Sequence, residues 1–354
     1  MILRDLLRLL GSAKRDGRNL THEEAFRAFE LLFAGGQSEI QIGAFLIALR
    51  WKGVTVEELT AFAKAARAHA TIPCKEMRDL VVVAPPQDGM DSFPPLEVAG
   101  GLIAAAAGAR VLVITDRCVP PKRGLTAASV LERLGLDMTW DPSEAEDWVA
   151  KARFAVVSAS GLLPGLMGLR RVRGEIGVRT PLATVEKLIA PDKAAIVIGA
   201  QGGPVLGVAV EVLQALGHAR AIAIQGPEGG VVPSTKRKTR GIELADGFQV
   251  PLTVEPNDLG LCCGEEPELP MFGPPDDGYG SGDNKALVEA CGDMTAAVLA
   301  GEGGSARCAA LLSAALILKA AGRAPTVADG VSLATEALDS GEPRRILERL
   351  KSLS

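Results

Sequence analysis

Lys236, Arg237, Lys238 and Arg240 put four positive charges within five positions. A run like this on a loop can clamp a phosphate backbone, and it can equally be a solvated surface turn. A second basic group, Arg170, Arg171, Arg173 and Arg179, and a third, Lys122 with Arg123, have the same chemistry. Asp88 precedes Gly89 and is either a ligand-binding acid or a turn residue. Arg173 can hold a carboxylate bidentately or serve as a plain salt-bridge residue. The six cysteines include no CxxC pair and there are only three histidines, which argues against a zinc site. No metal site is expected. Cys262–Cys263 reads as a pair of small buried residues in preference to a redox couple. His69 and His218 fall in helical segments without an evident acid-base partner.

The elements that must position these residues are legible in part. Thr21 with Glu24, Ser38 with Gln41 and Thr55 with Glu58 have capping-box spacing. Each opens a stripe at helical period: Ala25, Phe26, Phe29 and Phe33; Ile42, Phe45, Leu46 and Leu49; Leu59, Phe62, Ala63 and Ala66. The first ten residues, MILRDLLRLL, predict a dimer or core helix. After about residue 72 the pattern changes. Apolar β-branched runs at 81–84, 110–115, 154–159, 195–200 and 220–226 predict buried, largely parallel strands. Helices are predicted between them at Pro95–Gly108, Thr126–Gly135, Ser143–Ala152 and Gly203–Gly217. This alternation places helices on both sheet faces and a ligand crevice at the strands' C-terminal ends. Residues 265–283 read as a Pro/Gly/acid-rich loop, and 284–321 and 326–350 as helix.

With 354 residues, 47% apolar and only 4% aromatic, and with 40 glycines, the composition suits an α/β protein with a small-residue core. A net charge of −5 gives no global attraction to nucleic acid, so such a role needs a local basic patch. The apolar stretch from Val98 to Ile114 is broken by Gly100, Gly101, Gly108 and Arg110 and reads as a helix followed by a strand, leaving no membrane role. Scattered cysteines without a secretory signal read as reduced thiols of a cytoplasmic protein.

The segments SEIQIGAFLIALRWKG (38–53), VLERLGLDM (130–138), RGEIGVRTPLA (173–183) and ADGVSLATEALDSG (328–341) resemble the anthranilate phosphoribosyltransferase-like family, which includes the pyrimidine nucleoside phosphorylases. The resemblance implies an α/β protein. A small helical domain (1–72, with a contribution from about 161–190) joins a larger α/β domain (73–160 and 191–354) with a mainly parallel sheet. It also implies a homodimer through the helical domain. The family transfers a phosphoribosyl group from a diphosphate donor held by a Gly-Thr-Gly-Gly-Asp loop, an Asn-x-Ser-Thr cap and a Lys-His-Gly-Asn loop, with an Asp-Glu pair for magnesium.

This chain departs at each of those points. Pro85 and Pro86 stand in the first loop and Pro94 and Pro95 at the cap, removing backbone donors. Val113, Ile114 and Thr115 replace the start of the second loop, and Val232 and Pro233 stand roughly at the metal pair. A residual ligand pocket would comprise Asp88, Gly89, Arg117, Lys122 and Arg173, the last at the family's anthranilate-contacting position. The short Glu228-Gly229-Gly230 loop, the basic run behind it, TVEKLIAP (184–191) and VPPKRG (119–124) resemble a divergent, nucleic-acid-binding paralogue group. The expectation is therefore a member that has lost donor binding and holds DNA, RNA or another polyanion. It would do so in an interdomain groove lined by Arg123, Arg170, Arg171, Lys236, Arg237, Lys238 and Arg240, without a cofactor. The rival is an active glycosyl or phosphoribosyl transferase with an altered donor or acceptor, which would need magnesium if donor binding survives.

Overall fold

The computed structural model describes residues 2–11, 18–202, 205–270 and 280–354. Helices α1 (Leu3–Gly11), α2 (His22–Ala34), α3 (Glu39–Lys52) and α4 (Val56–His69) form the N-terminal helical layer. The capping boxes of Thr21–Glu24 and Thr55–Glu58 form as the spacing predicts. The third does not: Ser38 occupies the N-cap but its side chain makes no capping hydrogen bond. Phe29, Phe45, Leu46, Leu49 and Phe62 are buried, and Phe29 stacks on Phe62 with ring centroids 4.0 Å apart. α1 supplies core side chains, since Leu3 and Leu6 are fully buried. Glu58, buried to 0% exposure, knots this layer by accepting from Leu20 N, Thr55 N and Lys52 Nζ.

The remainder is a seven-stranded sheet with helices on both faces. Its elements run β1 (Leu80–Ala84), α5 (Glu97–Ala106), β2 (Arg110–Thr115), α6 (Ala127–Arg133), α7 (Pro142–Ala152) and β3 (Phe154–Ser158). They continue with α8 (Arg170–Ile176), β4 (Ala195–Gly199), α9 (Val205–Ala215), β5 (Arg220–Ile224), β6 (Thr239–Ala245) and β7 (Phe248–Val254). Four helices close the chain: α10 (Lys285–Leu299), α11 (Ser305–Ala320), α12 (Val327–Asp339) and α13 (Glu342–Lys351). The sheet order is β3-β2-β1-β4-β5-β6-β7; the first five strands are parallel and β6 and β7 antiparallel. α5 packs against α11 so closely that a Cβ at Gly100 would lie 2.6 Å from Ser313 Oγ. Among the described residues, no helix is long and apolar enough to cross a membrane.

Two sequence expectations need correction. The basic run is not wholly a loop: it leads into the β6–β7 hairpin, so Arg240 lies in a strand. The hairpin turn is Asp246-Gly247, both at positive φ (50° and 87°), a two-residue turn that suits the twist of a hairpin. The predicted helix 284–321 is two helices, broken where Gly301 and Gly304 adopt positive φ. Gly203, the predicted start of the helix before Gly217, and residues 271–279 of the acid-rich loop, with Tyr279, lie outside the described residues.

Arg67 on α4 pins the helical layer to the sheet domain. Its guanidinium donates to Leu188 O (2.8 Å), Asp192 Oδ1 (2.7 Å), Leu216 O (3.3 Å) and His218 Nε2 (2.7 Å). Because Arg can only donate, Nε2 must accept, so the ring proton sits on Nδ1, which donates to Ala194 O at 2.8 Å. Burial and the Arg67 charge push His218 down to about 4 from its ordinary 6.5. A ring kept neutral in the folded state costs nothing above pH 6.5. Below that the unfolded chain takes up the proton and the folded chain does not, so stability falls as pH drops from 6.5 toward 4. The full loss is about 3 kcal/mol. Urea unfolding of wild type and His218→Gln across this range should show the wild type losing stability relative to the variant. Parallel curves would mean that the ring is not held neutral.

Candidate functional site

β1 and β4 are neighbours, yet the chain leaves β1 toward β2 on one side and β4 toward β5 on the other. At such a switch in strand order the two loops diverge and leave a crevice at the C-terminal ends. A cleft of about 310 Å³ lies there, within the usual range for small ligands. Leu49, Arg50 and Val54 wall it from the helical layer. Pro86 and Asp88 follow β1, Ile198 and Gln201 come from the end of β4 and beyond, and Arg179, Thr180, Thr184 and Lys187 come from the crossing segment.

Inside the cleft, Asp88 is almost fully buried and forms a bidentate pair with Arg179, at 2.6 Å to Nε and 2.8 Å to Nη2. Arg50 in turn donates to the Arg179 carbonyl. Lys187 donates to Gly199 O at 2.7 Å, and burial, with the Arg179 charge adding, pushes it down to about 8. A lysine so perturbed can both hold an anion and exchange a proton near neutral pH.

The loop after β1 is closed onto its neighbours. Asp88 O accepts from Gly124 N, and Met90 and Leu125 exchange both backbone hydrogen bonds at 2.8 Å. Gly89, with φ +79°, permits this, since a Cβ there would sit 2.4 Å from the Gly124 backbone. Beyond it the N–H groups of Asp91, Ser92 and Phe93 all donate to the Glu228 carboxylate at 2.8–2.9 Å. Lys122 adds an ion pair to Glu228 and another to Asp91 at 3.2 Å. Burial pushes the Glu228 carboxyl up, but the Lys122 and backbone hydrogen bonds outweigh it and leave it below the ordinary value. Glu228 itself has φ +53°, a conformation that costs a non-glycine residue about 1 kcal/mol or more. Glu228 is thus the chain's own anion in a cradle of three amides and a lysine.

Of the expected pocket residues, only Asp88 lines the cleft. Gly89 shapes the loop. Arg117 turns to α6 and its following turn, pairing with Glu132 at 2.7 Å and Asp137 at 3.8 Å. Lys122 is held by Glu228. Arg173 is buried in a bidentate pair with Glu186, so it is committed to the structure and does not reach an external carboxylate. Burial works against its charge, and Glu186 outweighs burial and holds the guanidinium above its usual value, while the same burial pushes Glu186 up.

The basic groups border different cavities. Arg123, Arg170 and Arg171 border a cavity of about 280 Å³ with Cys118 and Asp283. Arg237, Lys238 and Arg240 border another of about 340 Å³ with Gln225 and Ser234. Arg170 pairs with the buried Asp116 at 3.3 Å and Arg171 with Glu175 at 3.0 Å. Lys236, Arg237, Lys238 and Arg240 are exposed, and Lys238 lies 4.0 Å from Glu255. Cys262 is exposed and Cys263 half-buried, against the expectation of a buried pair. Sequence reasoning missed Lys187 and Arg50; the adjacent charges Glu186 and Lys187, inside the otherwise apolar run LATVEKLIA, were the available signal. Among the described residues, no group of three or more His, Cys, Asp or Glu side chains could hold a metal ion.

If the Arg173–Glu186 pair is structural, Arg173→Ala leaves a buried carboxylate unpaired and should lower unfolding stability by about 3–5 kcal/mol. The double variant Arg173→Leu/Glu186→Leu should recover most of that in chemical denaturation. A stable Arg173→Ala protein would return the arginine to a ligand-binding role.

A helical bundle domain model of the glycosyl transferase family matches residues 10–70, and an a/b domain model of the glycosyl transferase family matches 95–344. The anthranilate phosphoribosyltransferase of Methanobrevibacter smithii is 30% identical over 94% of this chain and 95% of its own. That of Symbiobacterium thermophilum is 32% identical over 96% and 95%. The crystal structure of anthranilate phosphoribosyltransferase from Thermus thermophilus superposes with a TM-score of 0.79 at 26% identity, covering 99% of this chain and 98% of that one.

Proposed function

The chain belongs to the glycosyl transferase family of the anthranilate phosphoribosyltransferases, and on that premise we propose that it is a pentosyl-transferase-type protein with a rebuilt donor loop. Its small anionic ligand sits in the cleft between the helical layer and the β1/β4 switch. The observation that carries this reading is the set of cleft side chains: Arg50, Arg179 and Lys187 offer positive charge around a ligand-sized space at the strand ends. Asp88, held by Arg179, orients that guanidinium, and Lys187 supplies a group able to give or take a proton near pH 8. The altered donor loop is part of the same reading. Its amides from Asp91 to Phe93 are spent on Glu228, so a diphosphate would compete with an internal carboxylate. On this reading the magnesium pair that the family resemblance implies is replaced by side chains without oxygen. The resemblance puts Val232 and Pro233 roughly at that place; Val232 is buried, and neither side chain can coordinate. No step is assigned to a protein-held metal.

A polyanion site is the second reading. The exposed Arg237, Lys238 and Arg240 around their own cavity favour it, and DNA or RNA is the class of partner. Calorimetric titration with phosphoribosyl diphosphate and magnesium separates the two. Saturable binding, weakened tenfold or more in Lys187→Gln, supports the transferase reading. Absence of heat at millimolar ligand rejects the phosphoribosyl diphosphate form of it. Single-stranded DNA at two salt concentrations then tests the second, which requires a salt slope reduced by replacing Lys236, Arg237 and Lys238 with Ala.

We propose further that two copies pair through the outer face of α3. Ile40 (85% exposed), Ile47 and Trp51 (93% exposed) lie on that helix, and such a stripe is costly to leave in water. Light scattering after size exclusion should give twice the chain mass for wild type and a monomer for Trp51→Glu. A monomeric wild type would dispose of the dimer.

A further inference from the structure

We propose that Cys263 and Cys308 form a modification site, a dithiol that a low-molecular-weight disulfide such as oxidised glutathione converts to an intramolecular disulfide, tethering the segment that holds the basic turn at Lys236–Lys238. Their sulfurs lie 2.8 Å apart although the residues are 45 positions apart in sequence. Cys74 and Cys291 are buried, and Cys118 donates to Asp283 at 2.6 Å, so none of these competes for the partnership.

The two cysteines stand on unlike supports. Cys308 is in the first turns of α11, which packs against α5 and α12 and carries a nearly continuous buried face. Cys263 follows β7 in a short stretch without regular structure, and that stretch holds the basic turn. Cys263 N donates to Thr235 O at 3.3 Å. Thr235 Oγ1 donates to Glu265 O at 2.7 Å, and its N–H donates to Glu266 Oε2 at 3.0 Å. Ser234 Oγ donates to Glu266 and accepts from Arg237 N at 2.8 Å. The turn therefore hangs on residues 263–266, and a covalent bond from Cys263 to α11 would anchor both to the rigid core.

The exchange balances without further reactants. One thiolate attacks glutathione disulfide and releases one glutathione; the other attacks the mixed disulfide and releases the second. Two thiol protons are lost and one sulfur–sulfur bond forms in the protein. Burial and the contact with Cys263 push the Cys308 thiol up to about 12, and whichever thiolate opens the exchange, the other lies within reach to resolve the mixed disulfide.

The full chain is incubated with oxidised glutathione, its thiols are counted after denaturation, and its peptides are mapped by mass. The expected result is a drop from six free thiols to four, with the peptides containing Cys263 and Cys308 linked and lighter by two hydrogens. Neither Cys263→Ser nor Cys308→Ser should form that link. Tryptic cleavage after Lys236, Arg237 and Lys238 should slow several-fold in the oxidised protein and recover with dithiothreitol. Six thiols left free or capped singly by glutathione, or a link through the exposed Cys262, would overturn the site. A correct link that leaves the tryptic rate unchanged would overturn the tether.

Discussion

One carboxylate organises the loops around the strand ends. Glu228 takes hydrogen bonds from three consecutive amides that precede α5 and an ion pair from Lys122, so the loops after β1, β2 and β5 meet on a single anion. Three N–H groups pointing the same way favour an anion between them, and an ionised acceptor roughly doubles what each hydrogen bond contributes. The left-handed backbone at Glu228 is tolerated because these bonds over-determine it. With the loops drawn together there, the open space moves to the β1/β4 side, where Asp88, Arg179 and Lys187 face the helical layer.

The same economy runs through the other charges. Arg117, Arg170, Arg171, Arg173 and Arg179 each have a carboxylate within reach, and the Arg173–Glu186 and Asp88–Arg179 pairs are largely out of water. Bidentate pairs of this kind fix orientation more than they add stability. They also mute the positive field that a count of arginines suggests. The short turn before β6 keeps its positive charge solvent-facing, with Lys236, Arg237, Lys238 and Arg240 all exposed.

How much of this was legible depended on range. Period and caps are local, so the helical stripes of α2 to α4 and all five parallel strands could be read directly. Asp246-Gly247 between Thr239–Ala245 and Phe248–Val254 is an equally local hairpin signal, masked by the basic residues that run into its first strand. The pairings were out of reach. Arg179 finds Asp88 across 91 positions and Lys122 finds Glu228 across 106, and no spacing rule reports which acid folds back onto which base. The sequence therefore located the site's neighbourhood through the crevice rule, while its charge state emerged only with the tertiary contacts. Ser38 shows the converse: correct spacing for a cap, yet no side-chain bond, because a capping box is a permitted arrangement that the local geometry need not adopt.

Arg67 has a consequence for motion. Its head group is mostly buried and donates to four acceptors, three of them (Asp192, Leu216 and His218) around β4, α9 and β5, and burial has pulled it down to about 10. Rotating the helical layer away from the sheet would strip a desolvated guanidinium of all of them at once. Hinge opening of the two layers is thus a high-energy excursion for this chain, and the width of the cleft between them is set by that one buried head group.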